Sequence, residues 1–355
     1  MSTESGRKTT IYDVAARAGV SPSTVSRALA KPGRVSASTA ARVVQAARDV
    51  GYQRALPTAT LRGLPTQLLA IVTADISNPV FHSMIAGAES AAEAAGYTVI
   101  IVDARESPDR ERRMAEQFIP AVDGLILASS RLSDSGIRSL AKQRPLITLN
   151  RVVQGLPAVL TDGVRGGRKA AHHLHELGHA AATYLSGPET SWPNGVRWRG
   201  FQDGGEEVGL ATRRIGPFSP TVEGGIKAAR VWAGNPTSSV FAYNDIMAVG
   251  FIREVTALGV SVPGDVSVVG FDSSPVAQLT TPSITSLSSP LQQQGVHAAK
   301  NLISLINGAE TPQEPVLLPV RLQARGSTAA FSEGLAAKLA PSAPVFNRPG
   351  LVRSR

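Results

Sequence analysis

Cysteine is absent from all 355 residues. That excludes disulfides, thiolate nucleophiles and cysteine zinc sites, and it points to a compartment without oxidative stapling. Long apolar runs are missing too. The opening stretch MSTESGRKTTIYDVAARAGV holds no run of signal-peptide length, and no later stretch reaches the length of a membrane span. The expectation is a cytoplasmic protein. No nucleophile–base pair emerges, and Gly163-Val164-Arg165-Gly166-Gly167 lacks the spacing and the lysine of a phosphate loop. No cofactor is implied.

Acidic residues are scarce at the front of the chain. Residues 1–65 carry ten Lys/Arg against Glu4, Asp13 and Asp49, a net +7. Residues 331–355 add +3, so 66–330 are left near neutral at −1 within a total of +9. A small basic head on a neutral body favours a nucleic-acid module joined to something else. With 43% hydrophobic residues the chain can bury one large core or two.

The head reads as three short helices. Thr10 suits the cap of a helix through Tyr12–Ala18, with Ile11, Val14, Ala15 and Ala18 at helical spacing and Gly19 as its stop. Ser21 is a second cap, and Pro22 fits the first turn of a helix Ser23–Ala30, where no amide bond is lost. After Pro32-Gly33, a third helix opened by Ser36 or Ser38 runs towards Val50. Two helices joined by so short a glycine turn make a helix-turn-helix. Residues 54–66 lack a core pattern and read as a hinge or linker.

From Leu68 onward apolar strand runs alternate with amphipathic helices: LLAIVT, Phe81–Ala95, YTVIIVD, Asp109–Phe118, GLILAS, Ser135–Gln143, PLITLN. The alternation resumes with Arg165–Leu177, AATYLSG, Arg197–Val208, SSVFAYN, Ile246–Leu258, VSVVGFD and a helix Leu291–Asn307. This is the signature of βαβ units, so two doubly wound parallel-sheet subdomains are expected. Ligands of such sheets bind beyond the carboxyl ends of the strands. Residues 329–355, rich in Ala, Pro, Ser and Arg, are expected to be a disordered tail.

The segments TIYDVAARAGVSPSTVSRAL and VSASTAARVVQAARDVGY resemble the DNA-binding head of the lactose-repressor/galactose-repressor (LacI/GalR) family. The resemblance continues through VDGLIL, Asn150-Arg151, HELGH, the Arg197–Phe201 segment RWRGF, VFAYNDIMAVG, VPGDVSVVGFD, TPSITSL and ARGST, covering residues 8–328. It implies an α/β protein: an N-terminal three-helix helix-turn-helix head (8–53), a hinge (54–66) and a periplasmic-binding-protein-like effector core (67–328). In the core, subdomain 1 takes about 67–158 plus 291–320, and subdomain 2 about 159–290 plus 321–328. It also implies a homodimeric repressor, associated with the nucleoid, on double-stranded operator DNA of pseudo-palindromic sequence. A small effector in the cleft, a sugar by family precedent, would control it as inducer or co-repressor.

On the recognition helix, Ser23, Thr24, Ser26 and Arg27 are the side chains able to read base edges, and the planar fork of Arg27 suits a guanine. By the resemblance, Pro22 and Ser23 stand where the family varies its base-reading pair. Thr10, Ser21, Ser36 and Thr39 stand at backbone-phosphate positions, although helix capping explains the same hydroxyls. Leu61 matches the leucine that the family wedges into the minor groove. The hinge departs from the family here: Pro57 is displaced, and the usual asparagine and arginine are missing.

Polyols are held by carboxylates, amides, an arginine and an aromatic face. Asp75, Asn150, Asn244 and Asp272 all follow strand runs. By the resemblance, Arg197 opens a helix at an effector-contacting position, and Phe81 and Phe218 match the aromatic ones. Helix capping is the competing role for Asn244 and Asp245, and a structural salt bridge for Arg151. His175-Glu176-Leu177-Gly178-His179 spells a zinc-protease signature, but Gly178 falls at the helix end, so no metal is expected and His179 reads as a loop or cap residue. Two other classes compete: a sugar- or purine-binding protein without operator specificity, and an enzyme on a sugar-binding scaffold.

Overall fold

The computed structural model describes residues 9–30, 35–50, 65–312 and 314–331. They fall into two units, one ending at Pro65 and one starting at Thr66. The first holds α1 (Ile11–Ala18), α2 (Pro22–Ala30) and α3 (Ala37–Asp49). The Asp13 carboxylate accepts from the Thr10 amide and hydroxyl, both at 2.7 Å, fixing the start of α1. Gly19, at φ 64°, ends it, its N–H donating a hydrogen bond back to Ala15 O. Val14, Ala15, Ala18, Val25, Val43, Ala46 and Ala47 form the buried centre of the three helices.

The second unit begins with β1 (Leu68–Thr73), α4 (Val80–Glu93), β2 (Thr98–Asp103), α5 (Pro108–Phe118), β3 (Gly124–Ala128), α6 (Asp134–Ala141), β4 (Leu146–Leu149) and β5 (Ala158–Thr161). It continues with α7 (Gly163–Glu176), β6 (Ala181–Leu185), α8 (Trp192–Val208), β7 (Ala211–Ile215), α9 (Val222–Ala233), β8 (Ser239–Ala242), α10 (Asp245–Ala257), β9 (Ser267–Asp272), α11 (Pro275–Leu279) and β10 (Thr285–Ser288). It closes with α12 (Leu291–Ile306), β11 (Val316–Leu318) and β12 (Arg321–Gln323).

Two six-stranded sheets result, ordered β11-β5-β4-β3-β1-β2 and β12-β10-β9-β8-β6-β7. The first is parallel throughout; the second is parallel except where β12 runs against β10. In β1, Leu69 and Ile71 pack with α4 and α12, whereas Ala70 and Val72 pack with residues of α5 and α6. Alternate side chains of one strand thus face opposite helical layers, which is why LLAIVT is apolar without a break.

Among the described residues the chain passes between the sheets three times: from β5 into α7, from β10 into α12, and from β11 to β12. Gln294, fully buried on α12, ties the passages together. Its Nε2 donates to Asn150 Oδ1 at 2.8 Å and Val159 O at 3.1 Å, and the same Asn150 oxygen accepts from Thr161 N at 3.0 Å.

The start of the expected disordered tail is ordered. Ala329 N donates to Ser267 Oγ at 3.1 Å, and Phe331 N to Leu177 O at 2.7 Å, because these amides are taken up at the start of β9 and the end of α7. The remainder, 332–355, lies outside the described residues, as does Leu61 in the expected hinge.

Candidate functional site

In the first unit, Ser23, Ser26 and Arg27 stand exposed on α2, with Pro22 and Thr24 half-buried beside them. Arg27 folds back one turn: Nε donates to Ser23 O at 3.2 Å and Nη2 to Ser23 Oγ at 3.3 Å. Ser21 Oγ accepts from Thr24 N at 3.2 Å and Ser36 Oγ from Thr39 N at 3.3 Å, so both serines cap helices. Capping does not remove them from phosphate reach. A helix N-terminus still offers its remaining free amides to an anion.

In the second unit, polar side chains converge between the two sheets. Asn78, Phe81, Glu106, Ser129, Arg131 and Asn150 form one wall, and Pro193, Arg197, Pro220, Tyr243, Asn244 and Asp272 the other. The cavity between them is tight, ≈ 20 Å³, room for about one water molecule. Of the expected effector contacts, Phe81, Asn150, Arg197, Asn244 and Asp272 are brought together here.

Arg197 is 5% exposed. Its Nη2 donates to Asp272 Oδ1 at 3.0 Å and its Nη1 to Tyr243 O at 2.6 Å, while the guanidinium lies 3.7 Å from the Phe271 ring centre. Arg197 does not open a helix as its sequence suggests. Helix α8 starts at Trp192, capped by the Ser191 hydroxyl, with Pro193 in the first turn. Asp272 holds φ 97° and Ser273 φ 50°, a left-handed bend at the exit of β9 that side chains adopt at a cost. Burial pushes the Asp272 carboxyl up while Arg197 pulls it down. Beside it, Asp245 is pushed up to about 7 by burial and by the charge of Asp272, against hydrogen bonds from Ser286 and Ser274.

Two polar residues of the cleft are partly committed elsewhere. Asn244 caps α10, its Oδ1 accepting from Met247 N at 2.9 Å and its Nδ2 reaching Pro220 O at 3.3 Å. Asn150 is held by the Gln294 network. Arg151 turns away to Asp134, Nη2 to Oδ1 at 2.7 Å.

Asp75 and Phe218 do not line the cavity. The Asp75 carboxylate closes a turn onto the Ser77 amide and hydroxyl, at 2.9 and 2.7 Å, and borders a separate apolar groove with Pro79, Val222 and Ile246. Phe218 packs on the core of the second subdomain.

The sequence reading missed Glu106, Arg131 and Tyr243. Tyr243 follows β8 directly, a strand-exit signal absorbed into the apolar run SSVFAYN. Arg131 lies beyond β3 and Glu106 beyond β2, on loops that bend through positive φ at Ser129 (58°) and at Arg105 and Glu106 (51° and 55°). Their approach is non-local, and no periodicity marks it.

His179 lies, as the sequence suggests, in the loop that closes the end of α7, its amide donating to Leu174 O at 3.1 Å past Gly178. It is nonetheless buried, 4% exposed, with Nδ1 2.9 Å from Ser238 Oγ and its ring edge-on to Phe331 at 5.9 Å. Among the described residues no group of three His, Cys, Asp or Glu is arranged to hold a metal, and no helix is long and apolar enough to cross a membrane.

Residues 10–55 match the model of bacterial regulatory proteins of the lacI family, and 171–328 that of the periplasmic binding protein-like domain. The chain is 30% identical over 331 residues to the HTH-type transcriptional regulator DegA of Bacillus subtilis, covering 90% of this chain and 98% of that one. A LacI family transcriptional regulator from Enterococcus faecium, solved with bound ribose, superposes with TM-score 0.66 at 30% identity over 75% of this chain and all of that one. The lac repressor dimer bound to operator and an anti-inducer gives TM-score 0.68 at 25% identity over 91% of this chain and all of that one. The chain therefore belongs to the lacI family of bacterial regulatory proteins, and it is a ligand-regulated, DNA-binding transcription regulator rather than an enzyme.

Proposed function

We propose that this regulator is a repressor that binds a pseudo-palindromic operator as a homodimer and that a sugar in the cleft sets its affinity. In this reading residues 8–53 are the reading head, 54–66 the hinge, and 67–328 the effector core. Arg27 supplies a base contact, with Pro22, Ser23, Thr24 and Ser26 along the same helix. Thr10, Ser21, Ser36 and Thr39 meet phosphates. An operator partner places the protein in the cytoplasm, on the nucleoid.

The observation that carries the ligand half is the buried Arg197–Asp272 pair at a strained strand exit, facing polar groups of the other subdomain across a narrow cleft. Among the described residues three chain crossings join the subdomains, so a ligand that touches both walls is bound differently at different subdomain angles. Differential affinity for two arrangements is what couples a ligand to DNA affinity.

The test pairs operator binding with a ligand screen. Operators selected from random duplexes should be inverted repeats, and sugars that shift the melting of the chain should change operator affinity. Arg197→Ala should abolish that change. A chain that prefers no duplex over scrambled DNA, with or without sugars, would overturn the reading.

A further inference from the structure

We propose that Glu106 and Arg131 form a second effector subsite on the wall opposite Arg197 and Asp272, and that the two charge-neutral pairs together select an uncharged polyol over its phosphorylated or acidic counterparts. This rests on the reading of the cleft as a sugar site and narrows the class of sugar it accepts.

Arg131 is 5% exposed and fixed from several sides. Its Nε donates to Glu106 Oε2 at 2.7 Å and its Nη2 to Glu106 Oε1 at 3.0 Å, a two-pronged pairing, while Nη1 donates to Ser129 O at 3.0 Å. The Arg131 amide is held in turn by Glu111 Oε2 at 2.8 Å. A guanidinium anchored on several atoms cannot swing away, so it presents a constant face to the cavity it lines.

The arrangement mirrors the other wall. Arg197 is likewise held by a carboxylate and a carbonyl, and both arginines border the same cavity. Tyr243 links the two: its carbonyl receives Arg197, its ring lies 4.9 Å from the Arg197 guanidinium carbon, and its side chain hydrogen-bonds Arg131. Burial disfavours the charged form of Arg131, but Tyr243 and Glu106 outweigh it, so its pKa is raised above the ordinary arginine value.

The chemistry of the ligand follows from counting. An arginine has five N–H donors; three of those of Arg131 go to Glu106 and Ser129 and a fourth to the Tyr243 side chain, which leaves one for a ligand. The Glu106 side chain, 25% exposed, keeps lone pairs beyond those given to Arg131. A hydroxyl can donate to such a carboxylate and accept from such a guanidinium at once, so a pair of hydroxyls fits each wall.

A phosphate or carboxylate fits neither. Each arginine is already neutralised by its own acid, and an added anion would be desolvated without a compensating charge. Phe81, Met84, Pro193 and Pro220 also line the cavity and offer apolar faces to a sugar ring once the subdomains part, since the closed cleft has room for about one water molecule.

The experiment titrates the full-length chain by calorimetry. Probes are D-ribose, D-xylose, D-glucose and D-galactose, with ribose 5-phosphate, glucose 6-phosphate and glucuronate as the charged set. The unaltered chain should bind at least one neutral probe and prefer it at least tenfold over its charged counterpart. Glu106→Gln leaves Arg131 without its countercharge, so the neutral probe should weaken at least tenfold and the charged counterpart should gain. Arg131→Lys keeps the charge but loses the fork, and should weaken the neutral probe without that gain; it carries the test if Glu106→Gln does not melt cooperatively. A preference of the unaltered chain for a charged probe, or unchanged neutral affinity in both variants, would overturn the subsite. If no probe shifts operator affinity in the unaltered chain, the sugar reading falls as well.

Discussion

Asp245 shows how much a single residue's surroundings decide. It occupies the first position of α10, where any N-terminal acid is favourable, but it is fully buried and next to Asp272. With its pKa raised to about 7, the folded chain keeps a proton that the unfolded chain releases near the ordinary carboxylate value of 3.8. The resulting stabilisation is complete below that value and is lost as pH rises to about 7. The melting advantage of the unaltered chain over Asp245→Asn should therefore shrink steadily between pH 4 and 7; a constant gap would refute the shift. His173 and His179, lowered by burial, act in the opposite sense and weaken the fold in acid, so the difference between the two proteins is the quantity to follow. At Asn244 both ends of the amide are used: Asn244→Asp should keep the cap but set a carboxylate oxygen against Pro220 O, so melting point and ligand affinity both fall, whereas Asn244→Ala should lose the cap, about 1 kcal/mol of stability. Strand-exit position made Asn244 and Asp272 legible in the sequence. It misled at Asp75, whose carboxylate is spent on the Ser77 turn.

Among the elements, the periodic helices and most apolar runs are legible, four-residue β4 and β8 included, whereas some short, polar or interrupted elements are not. β5 and β10 have four residues each, and edge strand β7 reads ATRRI, too polar to signal a sheet. Helix α9 contains Gly224-Gly225, a pair that local propensity disfavours by about 1 kcal/mol per residue. Tertiary contact overrides that preference: a Cβ at Gly225 would lie 2.1 Å from Met247 O, because α9 and α10 touch backbone to backbone. The α4–α12 pair is built the same way, since a Cβ added at Gly295 would lie 1.9 Å from Met84 O. Gly295→Ala should cost about 3 kcal/mol, at the upper end of overpacking penalties, measured by denaturant unfolding of the full chain. Gly19→Ala differs in kind. Space is open there, and only the left-handed φ of 64° is violated, so a loss of about 1–2 kcal/mol should fall on the head.

For the whole molecule, charge and chemistry are segregated, with +7 in residues 1–65 and near-neutrality in 66–330. Operator affinity should accordingly fall on the order of a hundredfold or more between 50 and 200 mM salt, while sugar affinity barely moves. Equal salt sensitivity of the two would contradict the division. That division, the helix-turn-helix, the two βαβ series and the family were determined by the sequence itself, because they rest on composition, local caps and periodicity within short windows. Which polar side chains share a cavity was decided only by tertiary structure. Arg131 and Tyr243 are distant in the chain, and they meet because three crossings and two packed sheets fix the separation of the walls. Asp75 and Phe218 miss the same cavity because nothing in a local pattern encodes where its wall will stand.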